Sequence, residues 1–247
     1  MARPHNLIRQ NISCNLLSSS GLTGGSIRGF VADSPGSPIN TLGDDTVNKQ
    51  KLLNGCLDKY TPVIFAKLFG NSNPVELEIG CGKGKFLLAR ALENPDINFL
   101  GIDRIMKWMK RRKIQSEKNS VSNIQFMKAE ARAFLKEAVP PASLSLVHIY
   151  FPDPWFKRRH HGRRVVNAEL LRILHSRLVP SGLIEIATDD QDYFIAMKKS
   201  IAETAELWDN VRETKNERIL DGMNKTNYEL KWESQGKMLF YAELRKS

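Results

Sequence analysis

Short apolar runs alternate along the chain with segments in which apolar residues recur at helical spacing. Apolar runs of about 4–8 residues are typical of buried strands, whereas apolar residues at positions i, i+3 and i+4 are typical of amphipathic helices. Strands are therefore predicted at Val75–Ile79, Asn98–Ile102, Ile124–Met127, Leu146–Tyr150 and Leu183–Thr188. Helices are predicted at Lys51–Leu68 with an interruption at Thr61–Pro62, around Phe86–Leu92, and from Leu170 to Leu178.

This alternation of strands and helices predicts an α/β fold with one doubly wound, mainly parallel sheet. The chain has 247 residues, 41% of them apolar, which is enough for one sizeable core. We therefore expect one folded domain over residues 49–247, preceded by an extension over residues 1–48. Ligands of such a sheet bind beyond the carboxyl ends of its strands, so the residues just after each strand are the candidates for chemistry.

A glycine-rich turn follows the first predicted strand, in the sequence Glu78-Ile79-Gly80-Cys81-Gly82-Lys83-Gly84. Its three glycines allow a sharp turn and let a ligand approach backbone NH groups at the start of the next helix. Asp103 follows the second strand, where it can accept hydrogen bonds from ribose hydroxyls. Together these features predict an adenosine-containing cofactor, for which NAD and S-adenosylmethionine both qualify. Glu130, after the third strand, is placed either near the adenine or in solvent at a helix start.

The densest set of chemical groups follows the fourth strand, in the segment Tyr150-Phe151-Pro152-Asp153-Pro154-Trp155-Phe156-Lys157-Arg158-Arg159-His160-His161-Gly162-Arg163-Arg164. Two prolines restrict the backbone on either side of Asp153 and present its carboxylate rigidly at the cofactor cleft. Five Lys or Arg residues and two His residues then occupy positions 157–164. Such a charge density repels itself unless phosphates lie against it, so the four arginines of the segment are expected to face phosphates. A solvated basic loop is the alternative.

The charge of the whole chain also indicates an anionic partner, because the formal net charge is +10. Residues 1–48 contain three arginines and three aspartates, so their net charge is zero and the whole excess belongs to the remainder. No apolar run approaches the roughly 18 residues of a membrane-spanning helix, so no membrane partner is expected. The three cysteines have neither paired spacing nor a C-x-x-C motif, and we predict no metal site.

Residues 151–164 resemble the P-D-P-W-P-K-x-R-H-x-x-R-R signature of the bacterial-type tRNA (guanine-N7)-methyltransferase family, and the order of the surrounding motifs is similar. The resemblance runs from about Pro74 to the C-terminus. It implies a Rossmann-like class I methyltransferase with a seven-stranded sheet. The implied reaction transfers a methyl group from S-adenosylmethionine to guanine N7 at position 46 of the tRNA variable loop. Phe156 replaces a usual proline and Gly162 a usual lysine, departures that concern tRNA affinity more than chemistry.

The resemblance also implies roles for individual residues, with Asp153 implied in catalysis. The residues implied in cofactor binding are Glu78, Gly80, Gly82, Gly84, Asp103, Glu130 and Asp153. The residues implied in substrate binding are Lys157, Asp189, Thr226, Asn227, Tyr228 and Glu229. The family's late T-x-x-E motif has a second candidate at Thr214–Glu217, but the aromatic residue before the Glu favours Thr226–Glu229. Whether the chain acts as a monomer or a homodimer is left open.

Three other functions compete with this one. An NAD-dependent oxidoreductase would share the glycine turn, but the predicted positions of His148 in a strand and His175 in a helix supply no evident hydride-transfer site. A methyltransferase acting on an amino group would carry N-P-P-[YF] after the fourth strand, where this chain has F-P-D-P. A non-catalytic RNA-binding subunit would not need the acids Glu78, Asp103 and Asp153.

The extension over residues 1–48 is rich in Ser, Gly and Asn and has no acidic residue before Asp33. Dispersed arginines without acids are typical of an organellar transit peptide, so we expect import into a plastid or a mitochondrion. A disordered tail on a cytoplasmic protein shares the low apolar content and is the alternative.

Overall fold

The computed structural model describes residues 61–105, 107, 114, 116–220 and 223–247. The predicted extension over residues 1–48, and the part of the predicted first helix that precedes residue 61, lie outside the described residues. Within the described residues, a helix begins at Phe65, after the predicted interruption.

The core of the fold is a sheet of seven strands. These are β1 (Val75–Ile79), β2 (Asn98–Asp103), β3 (Ile124–Lys128), β4 (Leu144–Tyr150), β5 (Leu178–Thr188), β6 (Trp208–Lys215) and β7 (Phe240–Lys246). Their order across the sheet is β3-β2-β1-β4-β5-β7-β6. The first five strands pair in parallel, whereas β7 runs antiparallel to both β5 and β6. The predicted α/β class and mainly parallel sheet are confirmed.

Helices connect the strands and cover the sheet. The α-helices whose bounds are described are α1 (Phe65–Phe69), α2 (Lys85–Glu93), α3 (Ala131–Glu137), α4 (Ala168–Arg177), α5 (Gln191–Ala202) and α6 (Asn227–Ser234). Short 3-10 helices also lie at Arg158–Arg163 and Ala205–Leu207. Side-chain caps fix where two of the long helices begin. Asn167 accepts from the backbone NH of Leu170 before α4, and Asp190 accepts from that of Tyr193 before α5.

Two apolar clusters hold the helices against the sheet. The larger includes Leu77, Leu100, Val147 and Ile184 from the central strands, packed with residues of α3, α4 and α5. The smaller contains residues of α2 together with Tyr150, Ile219 and Tyr241. Because the central strands contribute to both clusters, the sheet is buried on both faces, as their continuous apolar runs indicate.

The largest differences from the sequence-based predictions concern β5 and β6. Leu178 was expected at the end of a helix, but it is the first residue of β5, and the chain continues from it through Pro180 and Gly182 into the rest of that strand. Strand β6 was not located from the sequence. Nearly all of its side chains are exposed because it is an edge strand, so it lacks the apolar pattern that marks the others.

No helix within the described part of the chain has the length and apolar content needed to cross a membrane. Among those same residues, no three His, Cys, Asp or Glu side chains come together as a possible metal site.

Candidate active site

The carboxyl ends of the five parallel strands meet at one edge of the sheet. The strand order reverses at β1, because β2 and β3 lie on one side of it and β4 and β5 on the other. Ligands of α/β sheets bind at such a reversal of strand order. Residue pairing sets Ile79 beside Ile102, and Tyr150 beside Ala187. The loops that follow β1, β2, β4 and β5 therefore start side by side, and the predicted site residues at these strand ends lie on neighbouring loops.

The glycine turn after β1 has a backbone that only glycine adopts without strain. Gly80, Gly82 and Gly84 have φ angles of +83°, +46° and +66°. The NH of Gly80 donates to the carbonyl oxygen of Ile102 at 2.9 Å, which ties the turn to β2. A Cβ built on Gly80 would meet nothing within 4 Å, so the turn borders open space rather than packed side chains. Helix α2 begins directly after it, at Lys85.

Asp103 ends β2 and faces this turn. Its Oδ2 accepts from the NH of Gly82 at 2.9 Å, and its Oδ1 accepts from the NH of Ile105 at 2.9 Å. Each carboxylate oxygen has a second lone pair, so both can also accept from ribose hydroxyls. Glu78 is buried in β1, one residue before the strand ends. The open glycine turn and the fixed carboxylate fit an adenosine-containing cofactor.

Glu130 has a structural role that can be seen directly. It is the N-cap of α3, and its Oε2 accepts from the NH of Ala133 at 2.9 Å. The side chain lies at the surface, which agrees with the helix-start alternative. Its predicted contact with the cofactor stays a prediction.

The β4–α4 loop, residues 151–167, carries Asp153. Phe151 and Trp155, on either side of the aspartate, have φ angles of +49° and +50°. Phe151 donates its backbone NH to the carbonyl oxygen of Ala187 at 2.7 Å, and its ring stacks on Tyr228 with centroids 5.8 Å apart. Asp153 itself is exposed to solvent. The loop therefore holds an accessible carboxylate between two conformationally constrained aromatic residues.

The basic part of this loop separates into exposed and buried residues. The exposed members are Lys157, Arg158, Arg159 and Arg163. Arg163 lies over the ring of Trp155, with Cζ 4.9 Å from the ring centroid. Arg164 is only 6% exposed and forms an ion pair with Asp192. The expectation that all four arginines face phosphates is therefore wrong for Arg164, because its guanidinium is enclosed by protein.

Asp189 directly follows β5 and is partly exposed, with 25% of its side chain accessible. Its Oδ2 lies 3.4 Å from Nζ of Lys237, and this ammonium also lies 3.4 Å from the ring centroid of Trp232. The next acid, Asp190, is used as the cap of α5. Of the two adjacent acids, Asp189 is thus the one whose carboxylate is not committed to a helix start.

The T-x-x-E motif chosen from the sequence forms a capping box at the start of α6. Thr226 accepts from the NH of Glu229 at 3.1 Å, and Glu229 accepts from the NH of Thr226 at 2.6 Å. Glu229 is fully buried, whereas Asn227 and Tyr228 are exposed. Thr226 and Glu229 fix the start of α6, and Tyr228 in its first turn stacks on Phe151 of the β4–α4 loop. Direct substrate contact by residues 226–229 stays a prediction.

Sequence reasoning missed a chain of buried polar side chains under the site. Glu76 in β1 accepts from Arg90 at 2.8 Å and lies 2.9 Å from Nε2 of His148. Nδ1 of His148 lies 2.8 Å from the hydroxyl of Tyr150, which hydrogen-bonds to Glu185. The sequence signal that could have revealed this chain is the presence of charged residues inside apolar strands. A charged residue in such a strand is buried only when it is paired.

Arg218 extends this chain to α6. It donates to both carboxylate oxygens of Glu229, at 3.0 and 2.7 Å, and lies 3.7 Å from Glu185. Its guanidinium also lies over the Tyr150 ring, at 4.7 Å. Tyr241 donates to Glu229 at 3.1 Å. We call this set the buried polar network; its members are Glu76, Arg90, His148, Tyr150, Glu185, Arg218, Glu229 and Tyr241.

Opposing effects set the pKa values within the network. Burial would lower the pKa of His148, but the nearby carboxylates of Glu185 and Glu76 raise it overall. Burial would raise the pKa of Glu76, but its hydrogen bond with His148 and the charges of His148 and Arg90 lower it overall. These groups therefore stabilise one another's charged forms. Fully buried and paired, His148 has no access to a substrate, which removes it as a hydride-transfer catalyst.

Comparison with known proteins identifies relatives that share most of this chain. A family described as "Putative methyltransferase" matches residues 72–242. A Geobacter metallireducens protein named tRNA (guanine-N(7)-)-methyltransferase is 35% identical over 187 residues, covering 76% of this chain and 89% of that protein. A protein of the same name from Rubrobacter xylanophilus is 33% identical over 178 residues, covering 72% and 79%.

Solved structures share the fold at lower sequence identity. An antibiotic-related methyltransferase superposes with a TM-score of 0.53 and 19% identity, covering 76% of this chain and 96% of that one. The 16S rRNA methyltransferase KamB superposes with a TM-score of 0.54 and 16% identity, covering 76% and 95%. At these identities the likeness concerns the fold alone.

Proposed function

The chain belongs to the tRNA (guanine-N7)-methyltransferase family, and we propose that it transfers a methyl group from S-adenosylmethionine to guanine N7 at position 46 of the tRNA variable loop. The observation that carries the proposal is the arrangement at the sheet edge. An open glycine turn with a carboxylate at the end of β2 adjoins two loops that each present an acid, Asp153 and Asp189.

The glycine turn and Asp103 are the residues that would hold the cofactor. The turn offers backbone NH groups at the start of α2 and space for close approach, and Asp103 offers acceptors for ribose hydroxyls. When bound, S-adenosylmethionine supplies an electrophilic methyl group on a sulfonium. Glu78 and Glu130 complete the proposed cofactor set, next to the turn and before α3.

The two acids on neighbouring loops would orient the base. Guanine N7 has an in-plane lone pair and carries no proton, so the reaction requires no strong general base and positioning is the main contribution to rate. The carboxylates of Asp153 and Asp189 can accept from N1–H and N2–H of guanine, which directs N7 toward the methyl group. Adenine lacks these donors and cannot make these hydrogen bonds, so it would be rejected. The target base must leave its stack to enter such a site.

The exposed basic residues of the β4–α4 loop support tRNA as the substrate. Lys157 and the three exposed arginines follow Asp153 in the same loop. A cluster of cations beside the site neutralises phosphates and brings the nucleic acid to the acids that orient the base.

The test is incubation of the purified chain with unmodified tRNA and S-adenosylmethionine labelled in the methyl group, followed by nucleoside analysis. Labelled 7-methylguanosine is expected from tRNA carrying G46. The matched control is the same tRNA with A46 in place of G46, which should incorporate no label. Label in another nucleoside, or equal label in both tRNAs, would contradict the proposal.

We also propose that residues 1–48 direct the chain to a plastid or a mitochondrion. The support is compositional, because dispersed arginines precede the first acid at Asp33. A fusion of these residues to a fluorescent reporter should enter an organelle in plant-like cells. A control fusion with Arg3, Arg9 and Arg28 replaced by Glu should remain diffuse. Diffuse signal from the unaltered fusion would favour a cytoplasmic protein with an N-terminal tail.

A further inference from the structure

Arg164 closes the base of the β4–α4 loop. Its Nε donates to the carbonyl oxygen of Pro154 at 2.8 Å, so a side chain joins two points ten residues apart in the loop. Its Nη2 donates to Oδ2 of Asp192 at 2.7 Å, in the first turn of α5. The guanidinium also lies over the ring of Tyr193, with Cζ 4.7 Å from the ring centroid. One side chain therefore contacts both the loop after β4 and the helix after β5.

Each of these contacts lies close in the chain to an acid on which the proposed function depends. Pro154 directly follows Asp153, and α5 begins two residues after Asp189. The strands themselves fix only the start of each loop, through the pairing of Tyr150 with Ala187. Loops are more mobile than the strands that they follow, so a constant separation of the two acids needs a contact beyond the sheet. Arg164 makes that contact.

The surroundings of Arg164 hold it in place. Arg132 donates to the carbonyl oxygen of Arg164 at 3.1 Å, so its backbone is fixed as well as its side chain. Tyr193, beneath the guanidinium, is fully buried, and its hydroxyl accepts from the NH of Val166 at 3.0 Å. With only 6% of Arg164 exposed, its donors serve protein acceptors and not phosphates.

We propose that Arg164 is a positioning residue for methyl transfer, which sets the separation of Asp153 and Asp189 by tying their loops together. The role proposed for Arg164 rests on the proposed function. The planar guanidinium of Arg164 donates to a carbonyl oxygen and a carboxylate at the same time, which the single ammonium of a lysine does not reproduce. Because the reaction depends on the placement of the base, a small shift between the two acids lowers the rate more than it lowers binding.

The first test compares Arg164→Lys with Arg177→Lys. Arg177 serves as the control because it is partly buried and, like Arg164, donates to backbone carbonyls, in its case those of Leu135 at 2.7 Å and Lys136 at 3.1 Å. It lies before β5, at the opposite edge of the sheet from the site. Arg164→Lys should lower kcat by about tenfold or more while KM for S-adenosylmethionine stays within about twofold. Arg177→Lys should keep kcat within about twofold of the original chain. Equal kcat values for the two variants would overturn the proposal.

The second test does not require methyl transfer. Trypsin cleaves after lysine and arginine, and cleavage is faster where the backbone opens locally. Native-state digestion after Lys157, Arg158 and Arg159 should therefore be faster in Arg164→Lys than in the original chain. Unchanged cleavage would overturn the proposal. If the original chain fails to methylate guanine N7, the proposed function fails, and the digestion still shows whether Arg164 holds the loop.

A pair of glutamine variants distinguishes positioning from phosphate contact. In Arg163→Gln the slope of log affinity for tRNA against log salt should become shallower by roughly 0.7–0.9, because an exposed cation is removed. In Arg164→Gln the slope should stay unchanged. A shallower slope in Arg164→Gln would assign it to phosphate binding and overturn the proposal. If Arg164→Gln does not fold, Arg164→Lys retains the rate and digestion tests.

Discussion

The buried polar network and the exposed basic residues of the β4–α4 loop use charge in opposite ways. In the network, three carboxylates lie among two guanidiniums and the imidazole of His148. The pKa of His148 is raised, which favours its positively charged form. In the loop, Lys157, Arg158, Arg159 and Arg163 are exposed together, with one acid, Asp153, before them. Balanced buried charge holds the sheet and α6 together, whereas unbalanced exposed charge is available to an anionic partner.

This comparison predicts that changes in the two regions affect different measurements. Removing one charged member of the network leaves an opposite charge buried without its partner, which lowers the free energy of unfolding. Removing one exposed cation leaves no buried charge unpaired, and it lowers the affinity for an anionic partner instead. The same type of substitution, arginine to alanine, therefore serves as a probe of both regions.

The largest effect is expected for Arg218→Ala. Its loss leaves the carboxylates of Glu185 and Glu229 buried without their guanidinium, which should lower the free energy of unfolding by about 3–5 kcal/mol. Chemical denaturation measures this directly. The matched control, Arg163→Ala in the basic loop, should change it by less than about 0.5 kcal/mol. Equal losses in both variants would break the distinction between the two regions.

Asp153→Ala should lower turnover and leave the stability of the fold unchanged, the reverse of what is expected for Arg218→Ala. We expect kcat to fall by at least ~100-fold, which corresponds to about 2.7 kcal/mol, because the carboxylate lies on the loop that presents it to the base. The free energy of unfolding should change little, since Asp153 is exposed. Steady-state kinetics and denaturation on the same sample provide the comparison. Retention of more than about a tenth of the original kcat would exclude the catalytic role.

A pH effect of intermediate size is expected from His148. Because its pKa is raised in the folded state, the protonated form stabilises the fold. That contribution is complete below the unfolded value near 6.5 and is lost as pH rises through the folded pKa. Each unit of difference between the folded and unfolded pKa is worth about 1.4 kcal/mol. Denaturation between pH 6 and pH 9 measures the loss.

The matched control for this pH effect is His175, a second described histidine whose pKa is shifted. Burial lowers the pKa of His175, so its contribution has the opposite sign and is lost as pH falls. In His175→Gln the decline in stability above pH 6.5 should therefore persist. In His148→Gln that decline should disappear, and its persistence there would assign the effect to another group.

The smallest effect on folding is expected for replacement of Arg158, Arg159 and Arg163 together by alanine. The free energy of unfolding should stay within about 0.5 kcal/mol, because all three side chains are exposed. Affinity for tRNA should fall, and its salt slope should become shallower by roughly 0.7–0.9 for each phosphate that is no longer neutralised. Affinity for S-adenosylmethionine should not change. Unchanged tRNA affinity and slope would show that the run is a solvated surface.

The sequence predicted the central sheet well because burial leaves a simple pattern there. Strand β1 has the predicted bounds, since all five of its residues are buried and form an uninterrupted run. Strand β6 left no such pattern, because the exposed positions of an edge strand carry polar residues. The start of β5 was misassigned for a related reason: apolar Leu178 continues the helical spacing of α4 up to the residue where the strand begins.

The sequence also predicted which loops meet at the candidate site, because parallel strands bring their carboxyl ends to one edge. It did not predict how individual side chains are divided between the surface and the interior. Arg163 and Arg164 are identical neighbours in the sequence, but one is exposed and the other pairs with Asp192, 28 residues away. Thr226 and Glu229 match both a substrate motif and a capping box, and the choice of Arg218 as the partner of Glu229 depends on tertiary contacts.

The positive φ angles of Phe151 and Trp155 link catalytic geometry to the stability of the whole fold. A non-glycine residue in the left-handed region carries a conformational cost of about 1 kcal/mol or more. Glycine would adopt both angles without this cost, but Asp153 would then lie between two flexible points and the stacking of Phe151 on Tyr228 would be lost. The aromatic residues instead restrict the conformation of the loop and lower the stability of the fold. Packing in the core offsets this conformational cost. Thermostabilised variants of this protein should therefore be screened for turnover, because relaxing this loop is one route by which stability rises while activity is lost.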